Sequence, residues 1–470
     1  MLQAFLNIFK VVELRNRVLF TFGMLMIYRL GYWIPLAGIN QSELVAMMNK
    51  QGKSGALGDL SQFIQVFTGG SLGQSTLFGM GILPYISAGI IFQLLTTVVD
   101  GLKQMQKEGP AGRQKIQEYT RYATFVLCVI QSTFYLGFFQ SQNLVYPSFH
   151  GTATYWVAGV MAMTTGTMFL MWLGEQIDKY GIGNGASMII CAGIVSRMPA
   201  AIGWIYSNFS VTAGDAARQM TPMKVLLLLA AFLIVISGTI LITQGQRRIT
   251  VQQAKHTRGR KVYGGQRSYL PLRVNHGGVM PIIFASSLLM FPTMILPWLS
   301  NTFNNVPVLG AAFHFLRDEF GMSGGYRFIY LLAEVSMIYF FAYFWTSVQF
   351  QPIEMADQLR DHGSFIPGLR PGPRTAEYLE KVMERITYVG AGFLAAIAVI
   401  PTIVTNAFQI PFNVSSFLGG TGLLITVSVA LDLIQRIEAN LMMRNYRGFL
   451  GGGGADGGGR GPRIRGARSA

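Results

Sequence analysis

The sequence predicts an all-α polytopic membrane protein with ten transmembrane helices. Three observations carry that expectation. Hydrophobic residues make up 51% of the 470 residues and charged residues 12%, about half the charged share of an ordinary soluble domain. The apolar residues gather into ten stretches of 18 to 25 residues. A helix needs about 20 residues to cross a bilayer and a barrel strand about ten. The few charges are lopsided, 37 Lys+Arg against 21 Asp+Glu, a net of +16. This composition excludes a disordered chain, which is poor in apolar residues. Two cysteines in 470 residues exclude a disulfide scaffold. A soluble basic nucleic-acid binder would carry far more charge overall, so DNA is not an expected partner.

The chain opens with Met1–Arg17, read as an amphipathic surface helix with Leu2, Leu6, Phe9 and Val12 on one face rather than a cleavable signal. The spans follow as Val18–Ile39, Ser75–Val99, Tyr122–Phe139, Thr154–Leu173 and Gly185–Tyr206. Met223–Ile242, Gly277–Leu299, Tyr326–Val348, Ile386–Phe408 and Val414–Ile434 complete them. They divide into an N-terminal half, 18–206, and a C-terminal half, 223–434. An even number of spans puts both termini on one side. That side collects 29 of the 37 bases and the other side seven, with Arg29 inside span 1. The positive-inside rule therefore makes the termini cytoplasmic.

Four segments depart from a simple zigzag. Leu57–Thr68 is apolar-leaning, bracketed by glycines and too short to span. It reads equally as a helix dipping in from the external side or as an external surface helix. The 6/7 loop, Thr243–His276, has eight bases and no acids, the charge of an arm attracted to anionic lipid, RNA phosphate or an acidic protein face. The 8/9 loop holds Phe365-Ile-Pro-Gly-Leu-Arg-Pro-Gly-Pro373 ahead of a helical Thr375–Arg385 with a Glu377–Lys381 pair. Its prolines and glycines predict a rigid turn presenting Arg370. The tail, 435–470, is expected to be disordered from about Gly451.

The second span of each half carries one pattern: Gly81-Ile-Leu-Pro-Tyr-Ile-Ser-Ala88 and Gly278-Val-Met-Pro-Ile-Ile-Phe-Ala285. Inverted repeats place such spans as mates around a central path. Pro84 and Pro281 are expected to bend their helices. The spans are almost free of ionisable residues, with Arg29, Glu334 and Asp432 the exceptions. There is no histidine cluster and no phosphate loop, so neither catalysis nor a metal or cofactor is expected. Cys128 and Cys191 read as small buried hydrophobes. A passage lined by isoleucine is a hydrophobic constriction that suits a chemically varied cargo and a tight ion seal. A secondary transporter with a five-plus-five inverted repeat is the alternative, but it needs a polar midplane site. A poreless insertase or ribosome receptor is a third reading.

These motifs resemble the SecY family of protein-translocon channel subunits, through all ten spans. The most specific are Ser71-Leu-Gly73 with Gly81–Ala88 and Gln93-Leu-Leu95, and Gly174-Glu-Gln-Ile177 with Gly181-Ile-Gly-Asn-Gly185. Gly259-Arg-Lys-Val-Tyr263, Leu270-Pro-Leu-Arg-Val-Asn275, Pro281–Ser287, Phe365–Gly372 and Gly419-Gly-Thr421 follow in order. The resemblance implies a clamshell of two pseudo-symmetric five-helix halves around an hourglass channel in the bacterial cytoplasmic (inner) membrane. It implies a plug over Leu57–Thr68, with Leu60, Phe63, Ile64, Val66 and Phe67. It implies a pore ring of Ile82, Ile86, Ala186, Ile190, Ile283 and Ile425, in which Ala186 is smaller than the usual aliphatic and Met188 is a candidate to fill in. It implies a lateral gate between spans 2 and 7 carrying Ser87, Gln131, Ser286 and Ser287. The implied partners are the SecE and SecG subunits, the SecA motor, the ribosome, signal peptides, nascent chains and anionic lipid. Arg258, Arg260, Lys261 and Arg370 would meet the cytosolic ones.

Overall fold

The computed structural model describes residues 11–44, 75–141, 144–209, 220–253, 256–258, 261–263, 267–302, 307–320, 328–408 and 421–450. Helices α1 (Val12–Gly31), α2 (Leu83–Val98), α3 (Asp100–Lys107), α4 (Pro110–Ser141), α5 (Ala153–Tyr180), α6 (Gly185–Val195) and α7 (Met198–Ser207) make the first half. The second half begins with α8 (Pro222–Gln244) and strands β1 (Gln246–Gln253), β2 (His256–Arg258), β3 (Lys261–Tyr263) and β4 (Arg267–Arg273). It continues with α9 (Met280–Thr302), α10 (Pro307–Phe320), α11 (Phe328–Gln349), α12 (Pro352–Asp361), β5 (Ser364–Phe365), α13 (Pro373–Phe408) and α14 (Thr421–Leu450).

Each of the ten predicted stretches overlaps helix. Among the described residues five helical segments are long and apolar enough to cross a membrane by themselves: α5, α6 with α7, α8, α11 with α12, and α13. A sixth is α2 with α3, bent by 98° at Val99. Helix α8 shows why these surfaces belong in lipid: Leu226, Leu229, Leu233, Ile234 and Leu241 all face outward, exposed. Water would penalise such a face by about 25 cal/mol per Å² of apolar area, whereas hydrocarbon does not. The chain is a multi-pass membrane protein.

The helical bonding ignores polarity, so several helices outrun the apolar stretches. Helix α1 already includes Val12–Arg17, so these residues extend the first span rather than forming a separate surface helix. Residues 1–10 lie outside the described residues. Helix α13 runs 36 residues without a break, so the expected Thr375–Arg385 helix and span 9 are one rod. Span 5 is instead two helices, broken at Ser196 and Arg197 before Pro199, which stands in the first turn of α7. A proline nitrogen has no hydrogen to donate back across such a break.

Proline also corrects the expected bends. Pro84 is the second residue of α2 and Pro281 the second of α9, where the amide hydrogens have no intrahelical acceptor. Both prolines start helices and bend neither. The glycine three residues earlier explains the recurring pattern: Gly81 and Gly278 both have φ of +59°, a left-handed conformation that glycine adopts without a Cβ penalty. The first helical turns match as well, with Ile86 N donating to Ile82 O and Ile283 N to Val279 O, each at 3.2 Å.

The described residues of the 6/7 segment, expected as a long basic arm, form strands. Strands β1 and β4 pair antiparallel from Gln246↔Arg273 to Gln252↔Arg267, and β2 pairs β3 farther out. On its other edge β1 pairs β5 of the 8/9 segment, Gln252↔Phe365 and Gln253↔Ser364. Ile249, Val251 and Leu272 point inward onto Phe350, Ile366, Leu379, Val382, Met383 and Ile386. The two segments thus share one small core. A second core, around Leu36, Ile39, Leu136, Phe139 and Tyr155, knits the segment after α1 to α4 and α5.

Candidate functional site

The largest apolar cluster brings together residues from α2, α6, α9 and α14. Ile82, Ile190, Ile283 and Ile425 are buried within it, between 0 and 3% exposed, and Ile86 and Ala186 pack against it half-buried. All six expected ring positions therefore fall in or against one cluster, although the first and last are 343 positions apart along the chain. Met188 joins the cluster too, and lies against Gly183. None of the six ring side chains is ionisable. Such a closure gains from packing alone and offers no polar site to a small solute.

Helices α2 and α9, which carry the recurring pattern, pack against one another. Ser87 and Gln131 are half-buried, while Ser286 and Ser287 are buried. Ser286 and Ser287 donate to their own helix, to Ile282 O at 2.8 Å and Ile283 O at 2.7 Å. Their protons are thus used within α9, and only their lone pairs face outward to accept. Cysteine pairs between 81–87 and 278–284 should cross-link in the resting protein, measured as a shift on a non-reducing gel. Absence of cross-linking at every pair would separate the two helices.

The basic segments meet on one side. Gly368 and Gly372 have φ of +88° and +116°, which bends 366–373 tightly. Leu369 N donates to Ile366 O at 3.0 Å, and Thr375 Oγ1 donates to Arg370 O at 2.9 Å. Ile366 is buried and Leu369 packs on the shared core, so Arg370 stands exposed on a turn anchored at both ends. Glu377 and Lys381 pair at 2.7 Å one turn into α13. Both are exposed, so the pair adds little stability. His276 closes the arm with its ring edge-on to Phe350 at 6.0 Å, and burial, helped by Arg273, pushes its imidazole below the usual range. Arg258 and Lys261 occupy β2 and β3 near the arm's tip. Arg260 and the segment Leu57–Thr68, with Leu60, Phe63, Ile64, Val66 and Phe67, lie outside the described residues.

Sequence reasoning gave no physical role to several polar contacts. Arg121 of α4 makes a bidentate pair with Glu175 of α5, Nε and Nη2 each at 2.8 Å, and Gln117 adds a third bond to the same carboxylate. Asp432 pairs with Arg436 one turn on at 2.9 Å, a spacing visible in the sequence. Arg29 Nη1 donates to Ser196 Oγ at 3.3 Å. Glu334 is buried on α11.

A sequence profile of the SecY family matches residues 76–434. The Protein translocase subunit SecY of Thermotoga maritima is 40% identical over 453 residues, covering 96% of this chain and 98% of its own. That of Escherichia coli K12 is 40% identical over 444 residues, covering 93% and 94%. The chain belongs to the SecY family. Solved structures agree on the fold at low identity. A protein-conducting channel superposes with a TM-score of 0.59 at 19% identity, covering 90% of this chain and 92% of its own. Sec61 from a canine ribosome-channel complex gives 0.56 at 18% identity, with the same coverage. In a SecY structure, with a TM-score of 0.57 at 19% identity and covering 90% and 92%, the plug domain stabilises the closed state and maintains a membrane seal. The SecY fold expected from the motifs is the fold observed, and a transporter of the five-plus-five type is not favoured.

Proposed function

We propose that this chain is the channel subunit of a protein translocase. It passes unfolded polypeptides across the bacterial cytoplasmic membrane and releases apolar segments sideways into lipid. The observation that carries this is that Ile82, Ile86, Ala186, Ile190, Ile283 and Ile425, none of them ionisable, belong to or pack against one buried apolar cluster. In this reading ten helices span the membrane as two halves, 18–206 and 223–434, and both termini are cytoplasmic. The chain is not an enzyme; a separate motor or a translating ribosome supplies the push.

The gate lies between α2 and α9. Ser87, Gln131, Ser286 and Ser287 contribute weak polar contacts there, at roughly 0.6 kcal/mol each by membrane double-mutant cycles. Weak closure suits a gate that an apolar signal helix must open by binding one state better than the other. The arm, with Arg258, Arg260 and Lys261, and the turn bearing Arg370 meet SecA and the ribosome. SecE and SecG are the small membrane partners, and anionic headgroups complement the basic side.

Residues 57–68, including Leu60, Phe63, Ile64, Val66 and Phe67, act as the plug. Deleting them should raise ion conductance in planar bilayers several-fold at rest, with export retained. Unchanged conductance would remove the plug assignment. Stable co-purification of single-span subunits or ribosomes is the outcome that separates a translocon channel from a transporter.

A further inference from the structure

The loop Gly181–Gly185 feeds α6, which brings Ala186 and Ile190 to the ring, and three other helices hold it. Ile182 N donates to Thr21 Oγ1 of α1 at 3.1 Å. Gly185 N donates to Asp178 Oδ1, in the last turn of α5, at 2.7 Å. Arg436 Nη1 of α14 donates to Gly183 O at 3.4 Å, while its Nε holds Asp432 Oδ2 at 2.9 Å. Asn184 caps α6 by accepting from Ser187 N at 3.0 Å. Beneath these bonds Leu14, Ile182 and Ile437 are buried together, with Val18 and Leu433 against them.

Two features tie this clasp to the ring rather than to general folding. Ile425, Asp432 and Arg436 stand at i, i+7 and i+11 on one face of α14. One stripe of α14 therefore carries a ring residue and, about 16 Å along the axis, the hold on the loop. The second feature is Ala186 itself, which follows the clasped Gly185 directly. An alanine methyl cannot swing to follow a displaced neighbour, whereas isoleucine has a second torsion to adjust. Closure at this position therefore depends on where the backbone is placed.

We propose that Asp178, with Arg436, is a positioning residue of the pore seal: it fixes the height and rotation of α6 against α14 so that Ala186 and Ile190 meet Ile425. The proposal rests on the ring reading above. Its test is resting ion conductance in planar bilayers of the full chain with its co-purifying subunits, alongside thermal unfolding. Asp178→Ala should leak about tenfold above wild type. Asp178→Asn keeps an acceptor for Gly185 N and should stay within about twofold, with both variants unfolding near the wild-type temperature. Arg436→Gln, at a half-exposed residue, keeps folding intact and should leak two- to threefold. Ile190→Gly and Ile283→Gly serve as ring controls. If the controls leak while Arg436→Gln, or a folded Asp178→Ala protein, stays as tight as wild type, the clasp is overturned and the ring stands. If the controls themselves are tight, the ring reading falls and takes the clasp with it.

Discussion

Arg370→Glu should block motor-driven export while leaving the channel folded. Reversing a charge that meets a partner's opposite charge replaces attraction with repulsion. The cost is about 3 kcal/mol, or about a hundredfold in docking. The fold should not register the change, because Arg370 is exposed and its turn is held by other groups. Those are Ile366 in the shared core, the Leu369 N bond to Ile366 O and the Thr375 Oγ1 bond to Arg370 O. The measurement is ATP-dependent import into vesicles bearing the variant, beside its thermal unfolding. The expected result is loss of import at an unchanged unfolding temperature. Normal import would remove Arg370 from the docking surface. Loss of both would mean that the turn supports the fold instead.

Gly185→Ala should destabilise the protein by roughly 3 kcal/mol or more, at the upper end for overpacking. A Cβ at Gly185 would stand 1.9 Å from Gly174 O and 2.6 Å from Gly174 C. Both are backbone atoms of α5, which no side-chain rotation can clear. Helix α6 must then back away, stretching the Gly185 N bond to Asp178. Gly203→Ala is the matched control, since nothing lies within 4 Å of its Cβ position, and alanine favours helix over glycine by about 1 kcal/mol. Denaturant unfolding in detergent should show a large loss for the first substitution and none for the second. Equal behaviour would mean that the α5–α6 approach relaxes at little cost.

The membrane class was legible because hydrocarbon selects for long apolar runs, and the ten stretches overlap the helices accordingly. Helix ends were less legible, because backbone hydrogen bonding continues through polar residues that a hydropathy reading takes as the edge. Pro110–Arg121 of α4 and Pro373–Arg385 of α13 are the clearest cases. The arm's strands went unread although their alternation was present. Ile249 and Val251 on β1, and Leu270 and Leu272 on β4, recur at a period of two, but each alternation is only two residues long and is set among eight bases. The recurring Gly–Pro pattern was visible, while its meaning as a helix start needed the φ angles. The polar contacts around Gly181–Gly185 join α1, α5 and α14, residues far apart in the chain, and a single sequence does not pair them.

Helix α13 begins at the turn that presents Arg370 and continues for 36 residues, a rod of about 54 Å. It packs on α11, and α11 packs on α9, where Phe284 meets Phe341 and Trp345 edge-on. A stiff rod is a lever, and in the proposed function its near end lies in the docking surface and the rest in the bilayer. A tilt of about 5° at the docked end displaces the far end by roughly 5 Å over that length. A load on it would pass through α11 to α9, the helix proposed as one edge of the gate. On that proposal, whatever grips the turn has a mechanical handle on the sideways exit, and docking and opening would be parts of one motion.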